Sequence, residues 1–415
     1  MLISIGGNVM TNLDLKQSSV YLKSTKIKEF ISPKNWHAFL SPLKTPFITK
    51  LIEQYQADKS VKKLFTNNLI CLYLFIGLTA GKTVTLRLIE IISCSKMAQF
   101  FTVLKGGVSR SGLSDRNEAI PCNLFRDIVL DLAHRTKRSS RRLMREAKNE
   151  IKIFDTTFIS LAHKLIPWAC RSVTKGLVSL AVRIDSGSWL PDRLIIRSEP
   201  GDNTIFRQLI DWTRQGVTYL FDRGFSEFET LKKLTQSGNF FITRLPSGYV
   251  YQIIKKLKIR LSIGEGITLI KDEIIRVGGK SRREKFKARL VTAVNDKGES
   301  ILFFTNRFDL TAIEVCEIYR QRWQIEILFR WLKTQLKIER VISYNENGFY
   351  LQIYMALILH LLIMLYHAKQ CHKSLTALGV YRHLQSWLYD LWGNYMFRSG
   401  MSISQPALEE VLCYG

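Results

Sequence analysis

The chain has 415 residues and carries 61 lysine and arginine residues against 35 aspartate and glutamate residues, a formal net charge of +26. This length predicts about two to four domains with hydrophobic cores. So large a positive excess argues against a merely soluble basic protein. It indicates a polyanionic partner, with nucleic acid as the first candidate and an anionic membrane surface as the second. The seven cysteines include no CxxC pair, which argues against a zinc site or a disulfide framework and predicts a cytoplasmic protein.

Residues 1–145 are predicted to be mostly helical. The segment 105–117 contains glycines that end one helix and serines that can cap the next. A helix-turn-helix of this kind would present Arg110 and Arg116 to DNA. The alternative is two ordinary helices joined by a capped turn.

Residues 146–345 are predicted to form an α/β domain with mixed strand directions, because short runs rich in β-branched residues alternate with helical segments. Within this domain, residues 246–300 hold further β-like runs, glycines and basic clusters, which predicts a β-rich insertion. Residues 346–415 are predicted to be helical. Their apolar stretch 350–366 is predicted to be a core helix rather than a membrane segment, because it is borderline in length and carries polar side chains.

Two aspartates follow predicted strands, Asp155 after IKIF and Asp222 after VTYLF. Ligands of open α/β sheets collect where strands end, so we expect both carboxylates at one edge of the sheet, with Glu326 on a helix packed beside it. Asp185 also ends a predicted strand and is the rival ligand. Three convergent carboxylates suit two Mg²⁺ ions, which activate the attacking oxygen and stabilise the leaving oxygen of an in-line displacement at a phosphodiester.

A helical pattern from residue 311 to 340 carries polar side chains at helical spacing. At about 100° per residue these side chains fall on one stripe of a continuous helix. Tyr319, Arg322, Glu326 and Lys333 lie within an arc of roughly 60°. The cations and the phenol can bind DNA phosphates while Glu326 holds a metal. The alternative is a solvent-exposed helix face with a surface ion pair between Glu326 and Arg322 or Arg330. The members of the stripe are Tyr319, Arg322, Glu326 and Lys333, with Arg330 and Lys337 close to it.

The four central residues of this stripe match the pattern Y-x2-R-x3-E-x6-K in full. With this pattern the chain resembles the bacterial insertion-sequence transposases typified by insertion sequence four. The segments IFDTT around Asp155 and FDRGF around Asp222 resemble the same family. The resemblance implies a ribonuclease-H-like catalytic core with a β-rich insertion between the second aspartate and the glutamate, flanked by helical N- and C-terminal regions.

The resemblance also implies a cut-and-paste DNA transposase that cleaves at the ends of its element and joins them to target DNA. Asp155, Asp222 and Glu326 would be its catalytic residues and would hold two Mg²⁺ or Mn²⁺ ions. Its partners would be the double-stranded DNA of the terminal inverted repeats and of the target, bound at the bacterial nucleoid, and a second copy of the chain. The N-terminal region would bind the DNA ends and the C-terminal region would serve dimerisation. Two alternatives stay open, a catalytically inactive DNA-binding relative and a metal-dependent DNA nuclease.

Overall fold

The structure, a computed structural model, divides into two compact units, a helical unit of residues 1–132 and 336–415 and a sheet unit of residues 133–335. The predicted helical stretches at 1–32 and 399–415 lie outside the described residues. The residues that the structure describes are 33–79, 84–140, 150–162, 167–169, 175–198, 202–259, 263–264, 267–278, 285–370 and 377–398.

In the described part of the sheet unit, ten strands form one sheet. Most of them coincide with the runs of β-branched and aromatic residues that predicted strands. The strands are β1 (Ile151–Ala162), β2 (Lys175–Asp185), β3 (Leu190–Arg197), β4 (Thr218–Leu220), β5 (Phe240–Arg244), β6 (Val250–Lys256), β7 (Ile263–Gly264), β8 (Ile267–Gly278), β9 (Lys285–Asn295) and β10 (Ser300–Thr305).

The strand order makes the sheet ribonuclease-H-like, as the resemblance implied. β3, β2 and β1 pair antiparallel, β1 then pairs parallel with β4, and β4 pairs parallel with β5. Helix α8 (Asp202–Leu209) connects β3 to β4, and α9 (Phe228–Gln236) connects β4 to β5. The predicted β-rich insertion continues this sheet, because β10 pairs with β5 on one side and with β9 on the other, and β8 and β6 follow outward.

An aromatic core under β1 and β4 sets the direction of the neighbouring side chains. Phe154 and Phe221 stack with ring centroids 4.9 Å apart and are fully buried in one cluster with residues of α8 and α9. Because successive side chains of an extended chain point to opposite faces, Asp155 and Asp222 are turned to the other face of the sheet. The burial of two phenylalanines therefore fixes the face on which both carboxylates lie.

The predicted continuous helix over residues 311–340 is two shorter helices. The first, α10 (Ala312–Arg320), begins with a capping box in which the Thr311 hydroxyl accepts from the Glu314 N–H and the Glu314 carboxylate accepts from the Thr311 N–H. The second, α11 (Trp323–Thr334), follows a turn at residues 321–322. Lys337 lies beyond α11 with a φ of 52° and belongs to the helical unit. The prediction of a single polar stripe is therefore wrong, because such a stripe requires one unbroken helix.

The helical unit contains a long apolar helix, α12 (Glu346–Gln370). Helix α12 is long and apolar enough to cross a membrane by length and composition alone, and 83% of its most apolar window is buried. The core helix of a globular unit can be as long and as apolar. The burial of α12 agrees with the core helix predicted for residues 350–366. The helices of this unit are α1 (Pro33–Leu40), α2 (Pro46–Gln54), α3 (Thr66–Thr79), α4 (Leu86–Cys94), α5 (Lys96–Thr102), α6 (Arg110–Ala119), α7 (Cys122–Ser140, whose last residues belong to the sheet unit), α12 (Glu346–Gln370) and α13 (Ala377–Arg398).

Helix α6 begins where serine capping was predicted, because the Ser109 hydroxyl accepts a hydrogen bond from the Gly112 N–H at 3.2 Å. Arg110 is exposed, but Arg116 is only 9% exposed and all three of its guanidinium nitrogens donate inside the helical unit. This corrects the prediction that Arg116 contacts DNA. Its acceptors are the carbonyls of Ala57 (2.8 Å) and Leu64 (3.0 Å), the Asp58 carboxylate (2.8 Å) and the Thr66 hydroxyl (3.1 Å).

Replacing Arg116 by Lys should lower the free energy of unfolding by about 2–3 kcal/mol. A single ammonium cannot reach the four acceptors that the guanidinium fork bonds, so buried carbonyl groups lose their partners. Urea unfolding followed by circular dichroism measures the loss. The exposed Arg110→Lys variant is the control and should stay within about 0.5 kcal/mol of the wild type. Equal stability of both variants would contradict the assigned bracing role.

Candidate active site

The parallel pairing of β1 with β4 places two aspartates side by side. Ile151 pairs with Thr218 and the register continues to Ile153 opposite Leu220, so two further residues along each chain bring Asp155 level with Asp222. β1 runs on well past its aspartate, which therefore lies within a strand and not at its end as the sequence predicted. Asp222 lies two residues after the end of β4 and immediately before a short 3₁₀ turn.

Helix α11 packs on β1 and carries the third carboxylate. The guanidinium of Arg322, at the turn before this helix, lies 3.3 Å from Asp155 Oδ2 and donates a hydrogen bond to Glu326 Oε1. One cation thus joins an acid of the sheet to an acid of the helix. The negative charges of Asp222 and Glu326 both raise the pKa of Asp155.

The electrostatics of this group are those of crowded negative charge. Burial raises the pKa of Asp155 from 3.8 to about 6, and the charges of Asp222 and Glu326 add to the rise. The Thr156 N–H, 2.8 Å from Asp155 Oδ1, and the Arg322 guanidinium oppose it. Burial lowers the pKa of Arg322, but Tyr319 and the two acids it bonds outweigh that effect and raise it. The site therefore favours a bound positive charge.

Tyr319 has a different place from the one predicted for a phosphate ligand. It is 6% exposed, and its ring packs edge-on against Phe303 at 5.3 Å between centroids. The guanidinium carbons of Arg322 and Arg244 lie 5.8 Å and 5.9 Å from the centroid of its ring. The ring therefore positions two arginine side chains by cation–π contact.

Arg244 is a residue that sequence reasoning missed. It is exposed and ends β5, the strand next to the one that leads to Asp222. The signal was present, since a cation at the carboxyl end of a strand beside a predicted acidic site is placed to bind a phosphate.

The remaining cations of the predicted stripe are distributed over different environments. Lys333 donates from Nζ to the Phe158 carbonyl of β1 at 2.8 Å, which ties α11 to the strand that carries Asp155. Arg330 is exposed, with its guanidinium carbon 5.8 Å from the centroid of the half-exposed Trp323 ring. Lys337 and Arg110 belong to the helical unit.

Asp185, the rival ligand, lies on the opposite face of the sheet. It pairs in register with Lys152, and a side chain at position 152 points away from the face of Asp155. Lys152 is almost fully buried, and its ammonium binds Asp185 at 2.9 Å, Asp192 at 2.5 Å and Glu150 at 2.8 Å. Asp185 is therefore part of a buried ion-pair network.

The three carboxylates fit a divalent cation by their chemistry. Mg²⁺ and Mn²⁺ prefer hard oxygen ligands of this type, and the raised pKa of Asp155 shows negative charge that such a cation would neutralise. Among the described residues, no group of three or more His, Cys, Asp and Glu side chains lies close enough together to hold a metal ion. In this arrangement the Arg322 guanidinium supplies the positive charge between two of the acids.

A ribonuclease-H-like sheet with two acids on one face, and a third acid on a helix packed against it, defines the class to which this strongly basic protein belongs. Comparison with known proteins gives the family. Residues 146–362 match the family model described as transposase DDE domain. Two relatives carry the name of transposase. One is y4zB of Sinorhizobium fredii, 30% identical over 60% of this chain and 69% of the relative. The other, for insertion sequence element IS4SA of Synechocystis, is 27% identical over 68% of this chain and 78% of the relative.

The chain belongs to the transposase DDE domain family and is a bacterial insertion-sequence transposase, a protein of DNA transposition. This confirms the family that the sequence resembles. A solved structure, the piggyBac transposase synaptic complex with hairpin DNA, aligns with a TM-score of 0.45 and 9% identity over 93% of this chain and 86% of that chain. That similarity is too distant to add to the assignment.

Asp185→Asn should lower the free energy of unfolding by about 1–3 kcal/mol, because the buried Lys152 ammonium loses one of its three charged partners. Urea unfolding measures the loss. Asp296→Asn, the same change at an exposed turn position, should leave stability unchanged. A variant of unchanged stability that nonetheless lost DNA cleavage would contradict this account and return Asp185 to the list of metal ligands.

Asp155→Asn should stabilise the metal-free protein at neutral pH. The folded pKa of about 6 lies above the usual 3.8, so the ionised Asp155 disfavours folding once the pH exceeds both values. The gain is at most roughly 3 kcal/mol near pH 7.5 and vanishes below about pH 4, where both states are protonated. Urea unfolding at both pH values, with Asp296→Asn as the control, measures it. A loss of stability at pH 7.5 would contradict the crowding of charge.

Proposed function

We propose that the chain cleaves DNA at the ends of its insertion sequence and transfers the freed ends into target DNA. The observation that carries this proposal is the placement of Asp155 beside Asp222 by the parallel strands, with Arg322 bridging Asp155 to Glu326, in a chain that belongs to a transposase family. No Ser or Cys nucleophile is needed, because water and then a DNA 3′-OH serve as attacking groups.

The proposed catalytic residues are the three acids, which would hold two Mg²⁺ or Mn²⁺ ions. When bound, the ions would activate the attacking oxygen and stabilise the leaving oxygen of an in-line displacement. Contacts within the sheet unit support this placement of the acids. β1 and β4 hold two of them in register, and the hydrogen bond from Lys333 to the β1 backbone anchors the helix that carries the third.

DNA phosphates would be bound by the cations around the acids. Arg322 now divides its guanidinium between Asp155 and Glu326, and a phosphate entering the site would compete with both for its N–H groups. Arg244 is exposed beside it, and Arg330 is exposed on α11. Tyr319 would act through the two arginines that it positions rather than by direct contact with DNA.

The proposed substrates are double-stranded DNA of the terminal inverted repeats and of the target. The net charge of +26 supplies a sequence-independent attraction to both. We further propose that two copies of the chain act together on two ends, as the family resemblance implies. Short inverted repeats in the DNA that flanks the reading frame would identify the end sequence.

DNA binding without cleavage is the second candidate function. It is favoured by one observation, the engagement of two of the three acids by Arg322. A nicking assay on end-containing DNA with Mg²⁺ or Mn²⁺ separates the two functions, because an inactive relative would bind the ends and leave them intact.

Asp222→Asn should reduce strand cleavage by about a hundredfold or more, while binding of end-containing DNA persists. The amide keeps the size of the side chain but removes the charge that a divalent cation requires. Gel analysis of cleaved ends and a gel-shift titration measure the two activities. Glu326→Gln should behave in the same way.

The control for this experiment is Asp296→Asn, which removes one negative charge from an exposed turn and should cleave at the wild-type rate. Cleavage by Asp222→Asn at that rate would contradict the assignment of the site. Cleavage of DNA that lacks the inverted repeats at the same rate as end-containing DNA would instead favour an unspecific nuclease.

A further inference from the structure

The insertion strands carry a row of cations on one face. In the pairing of β8 with β9, Arg276 lies directly opposite Lys287, so both side chains project from the same face of the sheet. Lys285 is two residues from Lys287 on β9, and Lys255 of β6 pairs with Ile274, two residues from Arg276. Because side chains two residues apart share a face, the four cations form one group. We name Lys255, Arg276, Lys285 and Lys287 the basic strip.

The positive charge of the basic strip is not neutralised by ion pairs with the described residues. All four side chains are exposed, and in the described part of the chain none of them forms an ion pair. The carboxylate of Asp272 on the same face is buried and bonded on both oxygens to Arg289. Like charges directly opposite each other destabilise a sheet, so the pair Arg276–Lys287 opposes folding of the DNA-free protein.

The hydrophobic residues of these strands pack into the core on the opposite face of the sheet, but this packing does not require the cations. Ile275, Val277 and Ala288 alternate with the strip residues and are fully buried in the core cluster. An uncharged residue at 276 or 287 would serve this core equally well. Phe308, 45% exposed, lies with its ring centroid 5.3 Å from the Lys287 ammonium, a cation–π contact that holds the charge outward without neutralising it.

The basic strip is separate from the acidic site. Arg244 pairs with Phe303, and Phe303 pairs with Val291. From Val291 to Lys287 is four residues along β9, or about 14 Å at the rise of an antiparallel strand. A phosphate bound at the acids therefore cannot be the one that contacts the strip.

We propose that the basic strip is a second DNA-binding surface, which holds the phosphate backbone of a duplex away from the cleavage site without reading its sequence. This inference rests on the proposed function, since it takes DNA as the substrate. The partner class follows from charge: an exposed row of unneutralised cations on a flat sheet face fits a polyanion of regular charge spacing. Contacts to phosphates fix position and carry no sequence information.

Lys287→Glu tests the proposal, with Lys233→Glu as the matched control. Lys233 is also exposed, and its ammonium also lies over an aromatic ring, that of Trp212 at 4.5 Å. Unlike Lys287, it belongs to helix α9, which packs on the other face of the sheet. Both variants change the net charge equally. Lys287→Glu should weaken binding of duplex DNA about fivefold to tenfold near 0.1 M salt. It should also lower the slope of log Kd against log salt by about one, with the same factor for end-containing and unrelated duplexes.

The melting temperature is a second readout. Lys287→Glu places a carboxylate opposite Arg276 and should not lower the melting temperature, whereas substitution of a residue needed for packing would lower it.

Arg276→Gln, which replaces the cation by a neutral side chain, should weaken DNA binding with the same loss of salt dependence. Unchanged affinity and slope in both variants, or a loss confined to end-containing DNA, would overturn the proposal. If the wild type cleaves ends while the strip variants bind like Lys233→Glu, the strip proposal fails and the proposed function stands. If the wild type forms no complex with DNA, both fail.

Discussion

Three carboxylates on one face of a sheet repel one another, and much of the sheet unit serves to keep them together. The parallel register of β1 and β4 brings Asp155 level with Asp222, and the stacked rings beneath them fix the face to which both point. The packing of α11 on β1 adds Glu326. Burial then raises the pKa of Asp155 to about 6. The fold thus maintains a repulsion between negative charges that a bound cation would relieve. This repulsion lowers the stability of the folded state, and the packing of the remaining core must offset it.

The distribution of cations follows from this arrangement. The turn between α10 and α11 places Arg322 between two of the acids, and Tyr319 in the last turn of α10 lies against this arginine and Arg244. Farther along the same sheet, Arg276 and Lys287 of the basic strip lie opposite each other. One sheet therefore has a region of crowded negative charge and a region of crowded positive charge. A substrate with one phosphate per nucleotide can engage both at once.

The sequence predicted those parts of the molecule that depend on local pattern. Strand composition and the residues that follow strands led to Asp155 and Asp222, and family resemblance supplied the ribonuclease-H-like core. The break at residues 321–322 was missed because every residue there is compatible with a helix. The burial of Arg116 was missed because it depends on partners distant in sequence.

The most direct test of the central claim is a Mn²⁺ titration of the wild-type protein bound to end-containing DNA, with the free ion followed by electron paramagnetic resonance. The account predicts saturable binding that Mg²⁺ displaces and that disappears when Asp155, Asp222 and Glu326 are all replaced by their amides. Binding that is absent from the wild-type complex, or that persists unchanged in the triple variant, would contradict the claim that these three carboxylates form the metal-dependent cleavage site.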